Sequence, residues 1–270
     1  RLYTLTRGRA TQTCGASCSN GCRNREPFQS VTASPHQPSS SIPDVQLVAE
    51  DLVLSRGGRV IVDRLSFTVA SGEALLLTGR NGAGKTTLIR ALGGFLPLSS
   101  GTVRLDGFDD ERDMREACHY VGHQNANKAS LTVIENLRFW QRYLGDGHLS
   151  DAEAFDRLHA AMERFELDTL ADIPAGYLSA GQKRRLGLCR LVLAKRPLWL
   201  LDEPTVSLDS QSTAMLAGVV KEHRAGGGLV IAATHLPRGL EDARELRLGA
   251  GAASAGSLNS TAASGAGAAP

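Results

Sequence analysis

The feature that most limits how this 270-residue chain can fold is a glycine-rich loop between an apolar strand and an apolar helix. The predicted strand Glu73–Leu77 leads into the loop, and a predicted helix follows it as far as Leu96. Glycines let such a loop curl so that its backbone N–H groups point inward, and the start of the helix adds partial positive charge. The pattern predicts binding of nucleotide phosphates. This phosphate loop consists of Gly79, Arg80, Asn81, Gly82, Ala83, Gly84, Lys85, Thr86 and Thr87.

Two side chains at the end of the phosphate loop extend this prediction. Lys85 would supply a cation to the β- and γ-phosphates, and the hydroxyl of Thr86 would bind Mg²⁺. A glycine turn with a purely structural role does not explain a Lys–Thr pair at the start of a helix. The expected cofactors are therefore ATP and Mg²⁺.

Two adjacent acids, Asp202 and Glu203, end a second apolar strand that begins at Leu198. Burial of two carboxylates is costly unless a cation or hydrogen bonds compensate their charge. Mg²⁺ bound to ATP would compensate Asp202, usually through a coordinated water. Glu203 would then face the γ-phosphate, where it can orient and polarise the attacking water. The alternative, in which both acids face solvent, does not explain the apolar run that precedes them.

Polar residues follow two further apolar stretches. His235 comes after the predicted strand Leu229–Ala233, and Gln124 comes two residues after Gly122. Open α/β sheets bind ligands at the C-terminal ends of their strands, so His235 and Gln124 join Glu203 as candidate catalytic residues. The candidate metal ligands are Thr86, Gln124 and Asp202. A structural role for His235 or Gln124 stays open, because neither residue alone is specific evidence.

Short apolar runs alternate with helix-length segments over residues 45–248, which predicts an α/β cassette with a mostly parallel sheet. The strand pattern stops between 125 and 177, where Thr132 and Ser150 each precede a glutamate by three residues, the pattern of a helix-starting capping box. We therefore expect a helical insert within the cassette. Its buried stripes are expected to be Ile134, Leu137, Trp140 and Leu144 on one helix and Phe155, Leu158, Met162 and Phe165 on the other.

Composition restricts the remaining possibilities. The net charge of +2 disfavours nucleic acid as a partner. No stretch approaches the about 18 consecutive apolar residues that span a bilayer, so membrane association would need a partner. We expect residues 1–44 to be a disordered or targeting-like extension and 249–270 a flexible tail. Cys14, Cys18 and Cys22 in this extension could hold a metal, although they lack the matching second pair of a zinc site.

A second candidate phosphate loop precedes the acids in sequence. Its serine and glycine begin a predicted helix, so their N–H groups could also bind phosphate. One nucleotide has no obvious need for two such loops in one chain. This signature loop consists of Leu178, Ser179, Ala180, Gly181 and Gln182. Together with the phosphate loop, Gln124, the acids, His235 and Ser207-Leu208-Asp209, it resembles the ABC ATPase family over about 45–248, with all motifs in the family's order.

The resemblance implies a P-loop ABC cassette with a parallel sheet core, an N-terminal antiparallel β subdomain and a helical subdomain at about 125–190. Two cassettes would pair head to tail, with ATP between the phosphate loop of one and the signature loop of the other. The seam segment, Ser207, Leu208 and Asp209, would lie across the interface, and His235 would contact the γ-phosphate. The second cassette and a separate membrane-spanning subunit are the implied partners, so the chain would be a hydrolase coupled to transport.

Within the family, the Ser-Ala-Gly-Gln signature and the run from Gly122 to Phe139 look like the ATP-binding subunits of heme exporters in cytochrome c maturation. This resemblance implies heme-handling partners and a peripheral location on the cytoplasmic face of the bacterial inner membrane. The matrix face of the mitochondrial inner membrane is the alternative if the N-terminal extension is a transit segment. An exporter cassette for lipid, drug or lipoprotein cargo also stays open, as does, less favoured, a soluble ABC ATPase outside transport.

Two positions depart from the family pattern. Ala180 stands where the family usually has glycine, and the aromatic residue that usually stacks on adenine is absent near Leu54–Arg56. The guanidinium of Arg56 could stack on the adenine instead. Loosely held adenine is the other possibility.

Overall fold

Two β-sheets and seven α-helices form the part of the chain that the computed structural model describes, residues 44–109, 113–145, 149–234 and 239–249. The strands are β1 (Gln46–Arg56), β2 (Arg59–Ala70), β3 (Ala74–Thr78), β4 (Ser100–Asp106), β5 (Cys118–Val121), β6 (Leu198–Asp202), β7 (Leu229–Ala233) and β8 (Arg244–Arg247). The helices are α1 (Lys85–Leu92), α2 (Met114–Ala117), α3 (Val133–Leu144), α4 (Asp151–Arg164), α5 (Ala180–Leu188), α6 (Arg190–Leu193) and α7 (Ser210–Ala225).

The central sheet has the order β5-β6-β7-β3-β8, and all its paired strands are parallel. Its middle strands are buried on both faces, as expected where helices or a second sheet cover a parallel sheet. Successive side chains alternate between two cores: Leu76 and Leu201 face the helical side, whereas Leu75 and Leu200 face β1, β2 and α1. The predicted parallel core is confirmed.

The second sheet is antiparallel, in the order β2-β1-β4. It belongs to the same hydrophobic core as α1 and one face of the central sheet. This sheet is the antiparallel β subdomain that the family resemblance implied.

The helical insert lies between β5 and β6, and its two longest helices begin where the sequence predicts. Thr132 and Ser150 both form complete capping boxes with Glu135 and Glu153. The stripe prediction is wrong for Phe155, which is 51% exposed, whereas Leu158 beside it on α4 is buried. Phe155 lies one turn from the N-terminal end of α4 and tilts against His159 on the outer surface of the helix.

Two helix boundaries also differ from the sequence expectation. The helix after the phosphate loop ends at Leu92 and not Leu96, because two glycines follow it and Gly94 has a left-handed φ of 71°. The helix of the signature loop, which the sequence predicts from Lys183 onward, begins at Ala180. No helix among the described residues is long and apolar enough to cross a membrane. His235 and the cysteines Cys14, Cys18 and Cys22 lie outside the described residues.

Candidate nucleotide site

The phosphate loop joins β3 to α1, so it lies at the C-terminal edge of the central sheet. Its conformation requires glycine at three positions with left-handed or related φ values: Gly79 at 136°, Gly82 at 82° and Gly84 at 100°. Gly84 caps α1 without a side-chain hydrogen bond. The first N–H groups of α1 are therefore directed at the space where a phosphate would bind.

Two of these glycines also permit close packing of the loop. A Cβ atom on Gly79 would lie 2.4 Å from the carbonyl oxygen of Leu248, and one on Gly84 would lie 2.3 Å from Cγ2 of Ile61. Ile61 belongs to β2, so the β1–β2 hairpin rests directly on the phosphate loop. The loop is thus held from both sides by backbone and apolar contacts that allow no larger residue.

Lys85 folds back over the loop that precedes it. Its Nζ donates to the carbonyl oxygens of Gly79 at 2.7 Å and Arg80 at 3.3 Å. These neutral oxygens attract the ammonium group less strongly than the anionic oxygens of a phosphate would. The ammonium group is therefore positioned over the loop and available to exchange carbonyls for phosphate.

The loop and the acids meet through Thr86 and Asp202. The hydroxyl of Thr86 donates to Oδ1 of Asp202 at 3.0 Å, although the two residues are 116 positions apart. Asp202 is 5% exposed at the end of β6. Hydroxyl and carboxylate oxygens are the donors that Mg²⁺ prefers, and two neighbouring oxygens around one octahedral Mg²⁺ lie about 3 Å apart. The pair therefore fits a magnesium site.

Tyr120 is a candidate site residue that the sequence prediction missed. It lies on β5, next to β6, and is near enough to Asp202 for the charge of that carboxylate to act on its hydroxyl. Burial, together with the charge of Asp202, raises the pKa of Tyr120. A sequence signal does exist, because Tyr120 comes two residues before Gly122, on a strand whose C-terminal end reaches the same edge of the sheet. Tyr120 therefore lies close to the carboxylate that Thr86 contacts.

Glu203 adopts a backbone conformation that is unusual for its residue type. Its φ is 49°, in the left-handed region. Its N–H donates to the carbonyl oxygen of Ala233 at 2.8 Å, and its own carbonyl accepts from Nη2 of Arg184 at 2.9 Å. The backbone therefore leaves the direction of β6 directly after Asp202, and the Glu203 at this turn is half-buried. Beside it, Thr205 and Thr234 have their hydroxyl oxygens 3.4 Å apart.

Gln124 lies beyond the end of β5, in the exposed segment that follows Gly122. Its strand neighbours β6, so Gln124 emerges on the same sheet edge as Asp202. The nearby Asn125 accepts a hydrogen bond from Arg184 through Oδ1, at 3.0 Å. Gln124 itself stands free of the Thr86–Asp202 contact, so its assignment as a metal ligand stays a prediction.

The signature loop is itself a capping box. Oγ of Ser179 accepts from the N–H of Gln182 at 3.2 Å, and Oε1 of Gln182 accepts from the N–H of Ser179 at 2.8 Å. Ser179 and Ala180 are exposed, whereas Leu178 is buried and anchors the loop. The Ser-x-x-Gln spacing is a sequence signal for this third capping box, which was not predicted.

The seam segment lies against the signature loop. A Cβ atom on Gly181 would lie 3.4 Å from the carbonyl oxygen of Ser207, whose φ is 66°. Leu208 packs against the core on the helical side. Asp209 caps α7 by accepting from the N–H of Ser212 at 2.7 Å, and hydrogen bonds with Ser212 lower the pKa of Asp209. The structure therefore brings the signature loop and seam segment together on one exposed face.

The hairpin over the phosphate loop offers the adenine ring aliphatic and cationic side chains. Arg56 and Arg59 pair across the turn that joins β1 to β2, and both are exposed. Val60, next to them, is 53% exposed. Stacking of Arg56 on the adenine stays a prediction.

Comparison with known proteins gives a consistent result. The sequence profile of the ABC transporter family matches residues 62–206. A cytochrome c biogenesis ATP-binding export protein CcmA from Mesorhizobium japonicum is 47% identical over 206 residues, 76% of this chain and 98% of that protein. The protein of the same name from Rhodopseudomonas palustris is 49% identical over 197 residues, 73% of this chain and 94% of that protein.

Solved structures agree with the sequence relatives. An ATP-binding subunit of an ABC transporter superposes with a TM-score of 0.65 at 26% identity, covering 75% of this chain and 87% of that one. A dimeric ATP-binding cassette bound to ADP and phosphate shares the fold, with a TM-score of 0.64 at 22% identity, 75% of this chain and 94% of that one. The chain therefore belongs to the ABC transporter family and, within it, to the group of these cytochrome c biogenesis export proteins.

Proposed function

We propose that this chain hydrolyses ATP as the cassette of a membrane transporter complex that supports delivery of heme to a heme chaperone in cytochrome c biogenesis. The single observation that carries the hydrolysis is the Thr86–Asp202 contact, which joins the phosphate loop to the acid strand with Glu203 next in sequence. The relatives named for cytochrome c biogenesis and export support the cargo assignment.

The residues of the site divide the chemistry among them. Lys85 and the N–H groups of α1 would hold the phosphates, and Thr86 with Asp202 would hold Mg²⁺, which neutralises charge on the phosphate oxygens when bound. Glu203 would orient the attacking water and accept its proton. Gln124 and His235 would contact the γ-phosphate region from the neighbouring strand ends.

A second copy of the chain is proposed to complete each site. Ser179 and Asp209 are exposed on the face that carries the signature loop and seam segment. The two large apolar side chains that directly precede these segments are also exposed, Tyr177 at 85% and Val206 at 52%. A head-to-tail pair would cover these side chains and place Ser179 at the partner's ATP. The signature loop therefore serves a different nucleotide from the phosphate loop of its own chain.

The membrane-spanning partner is proposed to dock in an aromatic groove between the helical insert and the core. The aromatic groove, a cavity of about 520 Å³, is lined by Phe95, Tyr120, Trp140, Tyr143 and Arg190, among others. Tyr143 is 71% exposed. The exposed ring of Tyr143 would give an apolar segment of the partner a surface to pack against.

Docking in the aromatic groove would make the chain a peripheral membrane protein. We propose the cytoplasmic face of a bacterial inner membrane as its location, with the mitochondrial matrix face as the alternative. Affinity purification of the full chain from its native membrane identifies the partners. Recovery of heme-handling proteins supports the heme assignment, and recovery of a lipid or drug exporter subunit replaces it.

Replacement of Glu203 tests the hydrolytic mechanism. Glu203→Gln removes the proton acceptor and keeps the shape of the side chain, so we expect ATP-dependent dimers that accumulate without turnover. Loss of a catalytic base of this kind lowers the hydrolysis rate by about 10²–10⁴-fold. The measurements are phosphate release and size-exclusion chromatography with saturating ATP and Mg²⁺.

The matched control is Glu163→Gln, on the exposed surface of α4, which should dimerise transiently and hydrolyse ATP like the parent. A Glu203→Gln protein that stays monomeric with saturating ATP and releases phosphate at the parent rate contradicts the assignment of the base.

A further inference from the structure

Arg184 is a buried cation that connects three functional segments. It lies on α5, five residues after Ser179, and is 3% exposed. Its Nε donates to the carbonyl oxygen of Pro204 at 3.0 Å and its Nη2 to that of Glu203 at 2.9 Å. Its Nη1 donates to the carbonyl oxygen of Gly122 at 2.6 Å and to Oδ1 of Asn125 at 3.0 Å. One guanidinium therefore holds the turn at Glu203 and the segment that contains Gln124.

The bonds of Arg184 fix a strained residue. Glu203 has a φ of 49°, and a non-glycine residue in this region persists only when its surroundings determine the conformation. Its N–H is held by Ala233 and its carbonyl by Arg184. Loss of Arg184 would free the carbonyl end of Glu203, and its carboxylate would no longer be aimed by the backbone.

A structural role alone explains Arg184 poorly. All four acceptors are uncharged oxygens, and burial lowers the pKa of Arg184, with Asp202 acting in the opposite direction. A buried charge with neutral partners is costly compared with an apolar residue of similar volume. The rigid fork of the guanidinium is, however, suited to several acceptors in a fixed geometry. The hydrogen bonds of Arg184 are therefore suited to holding Glu203 in a precise position.

The position of Arg184 on α5 adds a second consequence. Five residues of α-helix span about 7.5 Å, so Arg184 and Ser179 are held at a fixed separation by one rigid element. In the proposed head-to-tail pair, Ser179 contacts the nucleotide of the partner, whereas Glu203 acts on the nucleotide of its own chain. Movement of Ser179 would then be transmitted to Glu203 through α5 and Arg184.

We propose that Arg184 is a positioning residue that aims Glu203 and couples the two ATP sites of the cassette pair. The coupling rests on the proposed function, because it requires the head-to-tail pair. Ligand contact at Ser179 shifts α5, and Arg184 converts this shift into alignment of Glu203 and of the segment around Gln124.

The test compares Arg184→Gln, Arg184→Lys and Arg196→Gln in the full chain. Arg196 is the matched control, because its guanidinium also bonds backbone carbonyls, those of Arg115, Glu116 and Cys118, on a different part of the core. The measurements are kcat, KM and the Hill coefficient for ATP hydrolysis, binding of a non-hydrolysable ATP analogue, and Tm. A variant that only destabilises the fold would show a lower Tm, whether the replaced residue is Arg184 or Arg196.

We expect Arg184→Gln to lower kcat about tenfold to a hundredfold, as misplacement of a catalytic group does. Its Hill coefficient should fall towards 1 while binding of the analogue stays at the parent level. Arg184→Lys should recover part of kcat, because the ammonium reaches fewer acceptors. Arg196→Gln should lower Tm and leave both kinetic quantities at the parent values.

Parent-level kcat and Hill coefficient in Arg184→Gln overturn the inference, as does an equal loss in Arg196→Gln. If Arg184→Gln does not fold, the same criteria apply to Arg184→Lys. A parent protein that neither hydrolyses ATP nor pairs contradicts the proposed function itself, which separates the two failures.

Discussion

The buried His119 and the half-buried His223 flank one tryptophan near the N-terminal ends of β5 and β6, away from the candidate nucleotide site. His223 stacks on Trp199 with ring centroids 3.8 Å apart, and His119 contacts the same ring edge-on at 6.3 Å. Burial lowers the pKa of His119 to about 3 and that of His223 to about 4, against opposing hydrogen bonds to backbone groups. Both rings are therefore neutral in the folded protein at neutral pH.

These histidines make the folded state sensitive to acid. The unfolded chain binds protons at these residues below about pH 6.5, whereas the folded chain does so only near pH 3–4. These histidines therefore do not reduce the free energy of unfolding above about pH 6.5, and they reduce it increasingly as the pH drops towards 4. His223→Phe keeps the stacking and should reduce this loss by roughly 2 kcal/mol between pH 7 and pH 4.5. Urea unfolding at pH 7 and pH 4.5 measures the effect.

His119, whose Nε2 lies 2.8 Å from the carbonyl oxygen of Ala194, contributes to the pH dependence that remains in His223→Phe. His159→Phe, exposed on α4, is the control and should keep the parent dependence. A His223→Phe protein as acid-sensitive as the parent would show that His223 does not contribute.

At the scale of elements, α5 has a double role, because its cap is also the signature loop. Ser179→Ala and Ser179→Arg both remove the hydroxyl that accepts from Gln182. Each variant should therefore lower the free energy of unfolding by about 1 kcal/mol. Only the arginine adds bulk and charge at the exposed face, so it should block hydrolysis and leave ATP binding to the phosphate loop intact.

Comparison of the two Ser179 variants separates capping from recognition. Nucleotide binding by fluorescence, phosphate release and thermal unfolding are measured for both. Equal loss of ATP binding and hydrolysis in Ser179→Arg contradicts a site in which ATP lies between the phosphate loop of one chain and the signature loop of the other. Equal loss of hydrolysis in Ser179→Ala and Ser179→Arg would assign the defect to the lost hydroxyl and not to the blocked face.

The elements of this fold could be predicted where the signal is local. The apolar runs of β3, β6 and β7 and the capping boxes at Thr132 and Ser150 depend on neighbours within four residues, and the structure has all of them. The end of α1 and the exposure of Phe155 were predicted wrongly, because apolar residues continue past both points. Periodicity cannot show which apolar residues lack a facing element.

The parts of the site that the sequence left open depend on long-range contacts. Tyr120 and Asp202 come close together from two strands that are distant in sequence, and the bonds of Arg184 join three separate segments. Residue type alone does not distinguish a buried arginine such as Arg184 from the part-buried Arg185 next to it, which pairs with Glu166. Such roles follow from the pairing order of the strands, which local patterns do not specify.

At the scale of the whole molecule, the central sheet collects the catalytic parts at one edge. The phosphate loop, Asp202, Glu203 and the segment of Gln124 all follow strand ends there, as ligand sites do in open α/β sheets. The signature loop instead begins a helix of the insert, on a face with exposed Tyr177 and Val206. In the proposed function, a single chain thus supplies half of each of two sites, which two copies in head-to-tail arrangement would complete.

Mixing of two inactive variants tests this arrangement. Lys85→Ala removes the phosphate-loop cation, and Ser179→Arg blocks the signature loop. In a head-to-tail pair of one chain of each kind, one site contains both defects and the other contains none. Random pairing gives mixed pairs in half of the dimers, so the mixture should recover up to roughly a quarter of the parent hydrolysis rate.

The control mixture combines Lys85→Ala with Glu203→Gln. Lys85 and Glu203 act on the same nucleotide, so each site of a mixed pair contains one defect and hydrolysis should stay near zero. Phosphate release from the two mixtures, at equal total protein, is the measurement. Recovery in both mixtures would mean that contaminating wild-type protein, or exchange of subunits with it, supplies the activity. Recovery in neither would mean that each chain hydrolyses ATP with its own two loops, which contradicts the shared site.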